Sequence, residues 1–178
     1  MLDGNEAHRM LNLEILGAAK QGYAEEMQRW NAIEKKADGS ISLSGILLAA
    51  IFAFSRDLVQ GAGPLDKALL CTALVLLVAA ISVSLLALWM RRVPVAPPAA
   101  VVRGNVGELL AAVDRGSAEF PEAAVTFLNT MARLWEDAGG ELARRVNEKS
   151  RLVYCAHLII LATLVLVLGI AVRRYLFH

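Results

Sequence analysis

Three stretches of this chain contain no Asp, Glu, Lys or Arg. They are residues 39–55, 68–90 and 152–172, with 17, 23 and 21 residues respectively. A helix rises about 1.5 Å per residue, so the second and third reach roughly 30–35 Å. That matches the hydrocarbon core of a bilayer, about 30 Å thick. The chain is 57% apolar by residue count, above the 45–50% or so of soluble domains. With only 178 residues it cannot wrap three such helices in further protein. The reading is an all-α integral membrane protein with three transmembrane helices and long amphipathic cytoplasmic helices.

The first stretch is the shortest and carries Ser40, Ser42 and Ser44. A re-entrant segment is one reading of it. The other is a longer helix whose serines face protein and bond back to their own backbone.

Charge placement orients the chain. Of eighteen Lys and Arg, five lie in residues 1–40 and nine in 91–151, so fourteen share one side if these segments do. The positive-inside rule then places them in the cytoplasm. This divides the chain into a cytoplasmic amphipathic helix (1–38), a first span (39–55), an external hairpin (56–67) and a second span (68–90). A Pro-rich linker (91–104), a cytoplasmic helical region (105–151), a third span (152–172) and an external tail (173–178) follow. The charged first 38 residues have no apolar signal-peptide core. Net charge is +1, which gives no bulk attraction to nucleic acid.

Residues 5–38 read as one helix continuing into the first span. Its apolar stripe is Leu13, Leu16, Tyr23, Met27, Trp30, Ala37 and Ile41, interrupted by Lys20 and Glu34. Asp66 stands where a cap would open the second span. Pro94, Pro97 and Pro98 make residues 93–104 an elbow rather than a helix. A short helix over 104–114 stops at Arg115-Gly116, and Ser117 is placed to cap the next one. Gly139-Gly140 reads as a break, or else as a weak point in one continuous helix.

Enzyme motifs are absent: there is no phosphate loop, zinc-protease pair or nucleophile elbow. Cys71 and Cys155 fall inside apolar stretches and read as small apolar residues. His157 lies about one turn inside the third span. It is either a neutral group bonded to a neighbouring helix or part of an ion path. Basic residues gather where the spans meet the cytoplasm: Lys35-Lys36, Arg91-Arg92, and Arg144, Arg145, Lys149 and Arg151. These clusters contact lipid headgroups, or they form a pocket for an anion such as a nucleotide phosphate.

The stretch Glu34-Lys35-Lys36-Ala37-Asp38-Gly39-Ser40-Ile41-Ser42-Leu43-Ser44-Gly45 resembles the signature of the Pycsar transmembrane effector family. In that family an acid and a Lys-Ala pair lead into the first span and an Asn-Gly follows. Glu34, Lys36-Ala37 and Ser44-Gly45 stand at those places, with Glu for the commoner Asp and Ser for Asn. The basic segment Arg144 to Arg151 is similar to the family's Lys-containing lead-in to its last span. SLATT-type membrane effectors are built alike.

The resemblance implies a membrane-disrupting effector of bacterial anti-phage defence in the inner membrane, working by abortive infection. Its implied activator is a cyclic pyrimidine nucleotide, cyclic UMP or cyclic CMP, made by a nucleotide cyclase that forms no stable complex with it. A homo-oligomer in the bilayer is expected. Ligand binding is expected near Trp30, Lys36, Arg145, Lys149 and Arg151, with Trp30 or Trp135 stacking on the base. Gating and assembly are expected at Glu34, Ala37, Ser44 and Gly45, with Glu34 pairing with a cation across helices. The alternatives are a ligand-independent oligomeric scaffold and a small constitutive channel or transporter.

Overall fold

The computed structural model describes residues 4–59, 63–90, 96–97, 99–116 and 119–177. Side chains are described for these apart from residues 4–8, 54–59, 99, 100, 120, 174, 175 and 177. The described residues form four helices and no strand: α1 (Gly4–Val59), α2 (Pro64–Trp89), α3 (Ala99–Asp114) and α4 (Phe120–Phe177). Three of them, α1, α2 and α4, contain windows long and apolar enough to cross a membrane, with mean hydropathies of 1.4, 2.7 and 2.7. The first is the least apolar, as its serines predict.

The helix ends explain several departures from expectation. Helix α2 starts at Pro64 with extended Gly63 as its cap, so Asp66 lies in the first turn instead of capping it. Proline is preorganised for that first position because no backbone N–H is needed there. Asp66 is taken up by Arg173, 3.1 Å away. The expected hairpin 56–67 is shorter than drawn, because α1 runs on to Val59.

Helix α3 begins at Ala99, inside the segment expected to be an elbow. Prolines stop a helix only when it must pass through them, and Ala99-Ala100-Val101-Val102 follow the last one. Residues 91–95 and 98, with Arg91-Arg92, fall outside the described residues, and so does Ser117. Helix α3 ends as expected at Asp114, and Gly116 follows with a φ of 68°, the left-handed conformation glycine adopts most cheaply.

No break occurs at Gly139-Gly140. Helix α4 is continuous for 58 residues and runs through the tail to Phe177. Two glycines cost a helix about 1 kcal/mol each relative to alanine. Buried residues on both sides, Met131 and Ala132 before and Leu142 and Val146 after, offset that cost.

The chain divides into two compact units, one of residues 1–30 and 92–146, the other of residues 31–91 and 147–178. In the first unit Leu16, Leu128, Met131 and Ala132 form the core, flanked by Val102, Phe127, Leu134 and Trp135. Tyr23 meets Trp135 edge-on at 5.3 Å, and Lys20 Nζ lies 6.0 Å from the same ring. Lys20 thus interrupts the apolar stripe by reaching to an aromatic face.

In the second unit one core cluster joins Ala37, Ala87 and Val153. Another joins Ile51, Leu70 and Leu77, with Val167 packed against it. Moving from the first cluster to the second, numbers rise on α1 and α4 and fall on α2. Those two helices are therefore parallel and α2 is antiparallel to them.

Burial follows a seven-residue repeat on α2 and recurs at multiples of seven on α1 and α4, where Tyr23 and Trp135 are half-buried at the intervening positions. On α2 the buried positions are Leu70, Leu77 and Ser84, with Ala73, Ala80 and Ala87 beside them. On α4, Leu128, Leu142, Lys149, Ala156, Thr163 and Ile170 keep the same spacing. On α1 they are Leu16, Trp30, Ala37, Ser44 and Ile51, with Asn12 and Ser40 on the companion row. This is coiled-coil geometry. It shifts the stripe read from sequence: Leu13 and Lys20 are exposed, and the row holding Ser40 takes their place.

Candidate functional site

The second unit buries polar groups and exposes apolar ones. Its seam holds Ser40, Ser44, Ser84, Lys149 and Thr163, while Ile46, Val75, Val165 and Trp89 are largely exposed. In the three apolar windows only 22%, 28% and 22% of residues are buried.

Lys149 is the centre of this arrangement. Its side chain is 0% exposed, and Nζ lies 2.7 Å from Glu34 Oε1 on α1. The repeat explains the burial, since Lys149 occupies a core position between Leu142 and Ala156. An ammonium there costs several kcal/mol of desolvation unless it is paired at good geometry. Glu34 supplies the pair while 35% of its own side chain stays exposed. Cluster residues Ala37 and Val153 lie one helical turn onward on each helix.

His157 lies two turns further along α4. Its Nδ1 donates to Val153 O at 2.8 Å, and its Nε2 lies 3.5 Å from Ser40 Oγ on α1. The Ser40 hydroxyl itself donates to Lys36 O at 2.9 Å. A cleft of about 440 Å³ opens here, lined by Ile33, Lys36, Ser150, Val153, Tyr154 and His157.

Between the two core clusters the seam is polar. Thr163 donates back to Ile159 O at 2.8 Å. Ser44 and Ser84 are both fully buried, and their hydroxyls have no hydrogen-bond partner among the described residues.

The residues expected to bind ligand are not equivalent. Trp30 is 3% exposed, so its ring has no open face for a base, and the expected stacking role does not fit this conformation. Trp135 has Tyr23 against its ring. Arg145, in the first unit, is held by Glu141 at 2.6 Å. Lys149 is buried on Glu34, and Arg151, two residues on, is exposed. Two helical residues are about 200° apart, so Arg151 faces away from the seam. Lys36 is exposed and lines the cleft. Of the gating set, Glu34 holds Lys149, Ala37 and Ser44 are fully buried, and Gly45 is exposed.

Sequence reasoning missed Ser150, Tyr154 and Ser84. Ser84 was legible from its spacing of seven from Leu77 on α2. Ser150 and Tyr154 carried no signal until α1 packed beside them. No protein-family model, curated protein or solved structure matches the chain.

Proposed function

We propose that the chain is a signal-gated, membrane-perturbing effector of the bacterial inner membrane that acts in anti-phage defence. The supporting observation is Lys149, a fully buried ammonium paired across helices in a unit whose outer surface is apolar. Apolar groups facing out and polar groups facing in is the arrangement that suits lipid as the solvent. Trp89 and Tyr154, both largely exposed near ends of the apolar stretches, suit the headgroup level.

A buried ion pair is poor glue, because desolvation offsets much of its attraction. It serves better as a two-state contact, costly to break from one side alone. The Glu34–Lys149 pair is then the latch of the resting state. An anionic activator gates the protein only if it binds the unlatched arrangement better than the latched one. A phosphate that takes Lys149 from Glu34 meets that condition, since in the latched arrangement Lys149 is buried. A cyclic pyrimidine nucleotide is the activator implied by the resemblance around Glu34, Lys36-Ala37 and Ser44-Gly45.

The test uses the purified chain in dye-loaded vesicles. Cyclic UMP or cyclic CMP is expected to release dye, and Glu34→Gln is expected to release it without nucleotide. Vesicles that stay sealed with both nucleotides and with Glu34→Gln overturn the proposal.

A ligand-independent scaffold remains the competing reading, favoured by Gly45 and Ala49, which are exposed four residues apart on α1. Small residues at that spacing let membrane helices approach closely. Gly45→Leu is expected to reduce chemical crosslinking between copies in either reading. A scaffold leaves dye release insensitive to nucleotide, whereas the signal-gated reading does not.

A further inference from the structure

The cleft between α1 and α4 in the second unit has the chemistry of a specific site. Its lining supplies one cation, Lys36, the hydroxyls of Ser150 and Tyr154, the imidazole of His157, and apolar walls from Ile33 and Val153. No carboxylate lines it, and Lys36 has no ion-pair partner among the described residues. Nearby Glu34 is already committed to Lys149. An anion is the complement to such a lining.

Proton bookkeeping narrows the ligand further. A carbonyl only accepts, so His157 Nδ1 carries the proton that goes to Val153 O. The Ser40 hydroxyl has one proton and two groups in reach, Lys36 O at 2.9 Å and His157 Nε2 at 3.5 Å, so it cannot donate to both at once. The cleft therefore offers an imidazole nitrogen held only by a long contact to a shared hydroxyl, beside a lysine with no carboxylate on it among the described residues. A ligand with both a negative oxygen and a hydroxyl satisfies the two together.

Tyr154 also begins a row of exposed apolar residues on α4, continuing through Leu158, Leu161, Val165, Leu168 and Val172. The steps of three and four keep the row on one face of the helix. An acyl chain can lie along this row with its head in the cleft.

We infer that the cleft binds a hydroxyl-bearing phosphodiester, its anionic oxygen on Lys36 and its hydroxyl on His157. Two sources share that chemistry: a lipid headgroup such as phosphatidylglycerol, and a free cyclic ribose phosphate. The choice of source rests on the membrane reading above. The site itself does not.

The experiment uses the full chain in phosphatidylcholine nanodiscs, with circular dichroism to confirm equal helicity of all variants. In the lipid arm, phosphatidylglycerol is compared with phosphatidylethanol, which has the same charge and no hydroxyl, by lipid retention in native mass spectrometry. In the soluble arm, binding of cyclic UMP is measured by calorimetry. The expected result is preference in at least one arm: phosphatidylglycerol over phosphatidylethanol, or saturable cyclic UMP binding. Because the two lipids carry the same charge, the preference between them is lost in His157→Leu alone, whereas binding of the preferred ligand weakens about tenfold in both Lys36→Gln and His157→Leu, the scale of one charge-assisted hydrogen bond. Binding is unchanged in Lys67→Gln, an exposed lysine remote in sequence from the cleft residues.

The arm that responds names the source. Equal retention of the two lipids with no cyclic UMP binding overturns the inference, as does binding that survives both cleft variants. Dye release plays no part in this readout. A chain that binds and does not perturb vesicles sinks the proposed function alone, and one that perturbs vesicles without this binding sinks the inference alone.

Discussion

Lys149 and Glu34 are unequal partners, and their variants are expected to differ accordingly. Glu34→Gln removes the carboxylate 2.7 Å from a fully buried ammonium, a change of about 3–5 kcal/mol in comparable buried pairs. Lys149→Met leaves a carboxylate that is one-third exposed and can turn to solvent, so its cost is smaller. Glu34→Met with Lys149→Met is expected to match or exceed the parent in thermal stability. Melting curves in detergent, read as a double-mutant cycle, check the order. A Glu34→Gln variant as stable as Lys149→Met would refute the burial argument. Ser44 offers a second test, since its hydroxyl is fully buried and unpartnered. Ser44→Ala is expected to raise stability by about 1 kcal/mol, because an unsatisfied buried hydroxyl is a cost the folded state carries. A loss of stability would mean that water or a second chain satisfies that group. Sequence showed that Glu34 interrupts an apolar stripe, and so that it needs a partner. It did not show that the partner is Lys149, because the two residues lie 115 positions apart.

Helix α4 carries its two glycines through a continuous stretch, and a side chain added at Gly140 meets nothing within 4 Å. Gly140→Ala is therefore expected to stabilise the helix by about 0.5–1 kcal/mol, seen as a higher melting temperature. If the pair is also the place where α4 bends during activation, the same variant releases less dye with nucleotide than the parent does. The seven-residue repeat shows why the element level was only partly legible. Leu16, Trp30 and Ala37 were identified as one row of the α1 seam from their spacing. The same spacing also puts Leu13 in that stripe, with Lys20 and Glu34 interrupting it, but Asn12 and Ser40 are the residues buried beside it. Residues three and four positions away are nearly equivalent neighbours on an isolated helix. Packing against α2 and α4 breaks that tie in the second unit, where Ser40 is buried and Glu34 is left at its edge.

For the chain as a whole, the membrane reading makes a topological prediction. The N-terminus and residues 99–151 are expected in the cytoplasm and the C-terminus outside, because fourteen of eighteen cations lie in residues 1–40 and 91–151. Fusing a periplasm-dependent phosphatase to each terminus checks this. Activity is expected only at the C-terminus, and activity at the N-terminus would overturn the orientation. Cys71 and Cys155, exposed on the apolar exteriors of α2 and α4, are expected to resist membrane-impermeant maleimide until detergent is added.

The number and relative apolarity of the three candidate spans were properties of the chain alone. Helical hydrogen bonds are local, and a run of uncharged residues needs no partner to be recognised. The weaker apolarity of the first stretch followed from the same local information. Which side of each helix turns inward was different. It required three helices to meet in one register, and that register put Lys149 on the inside, Gly45 on the outside, and Ser150 and Tyr154 beside Lys36. Burial belongs to neighbours supplied by distant parts of the chain, and no local pattern contains them.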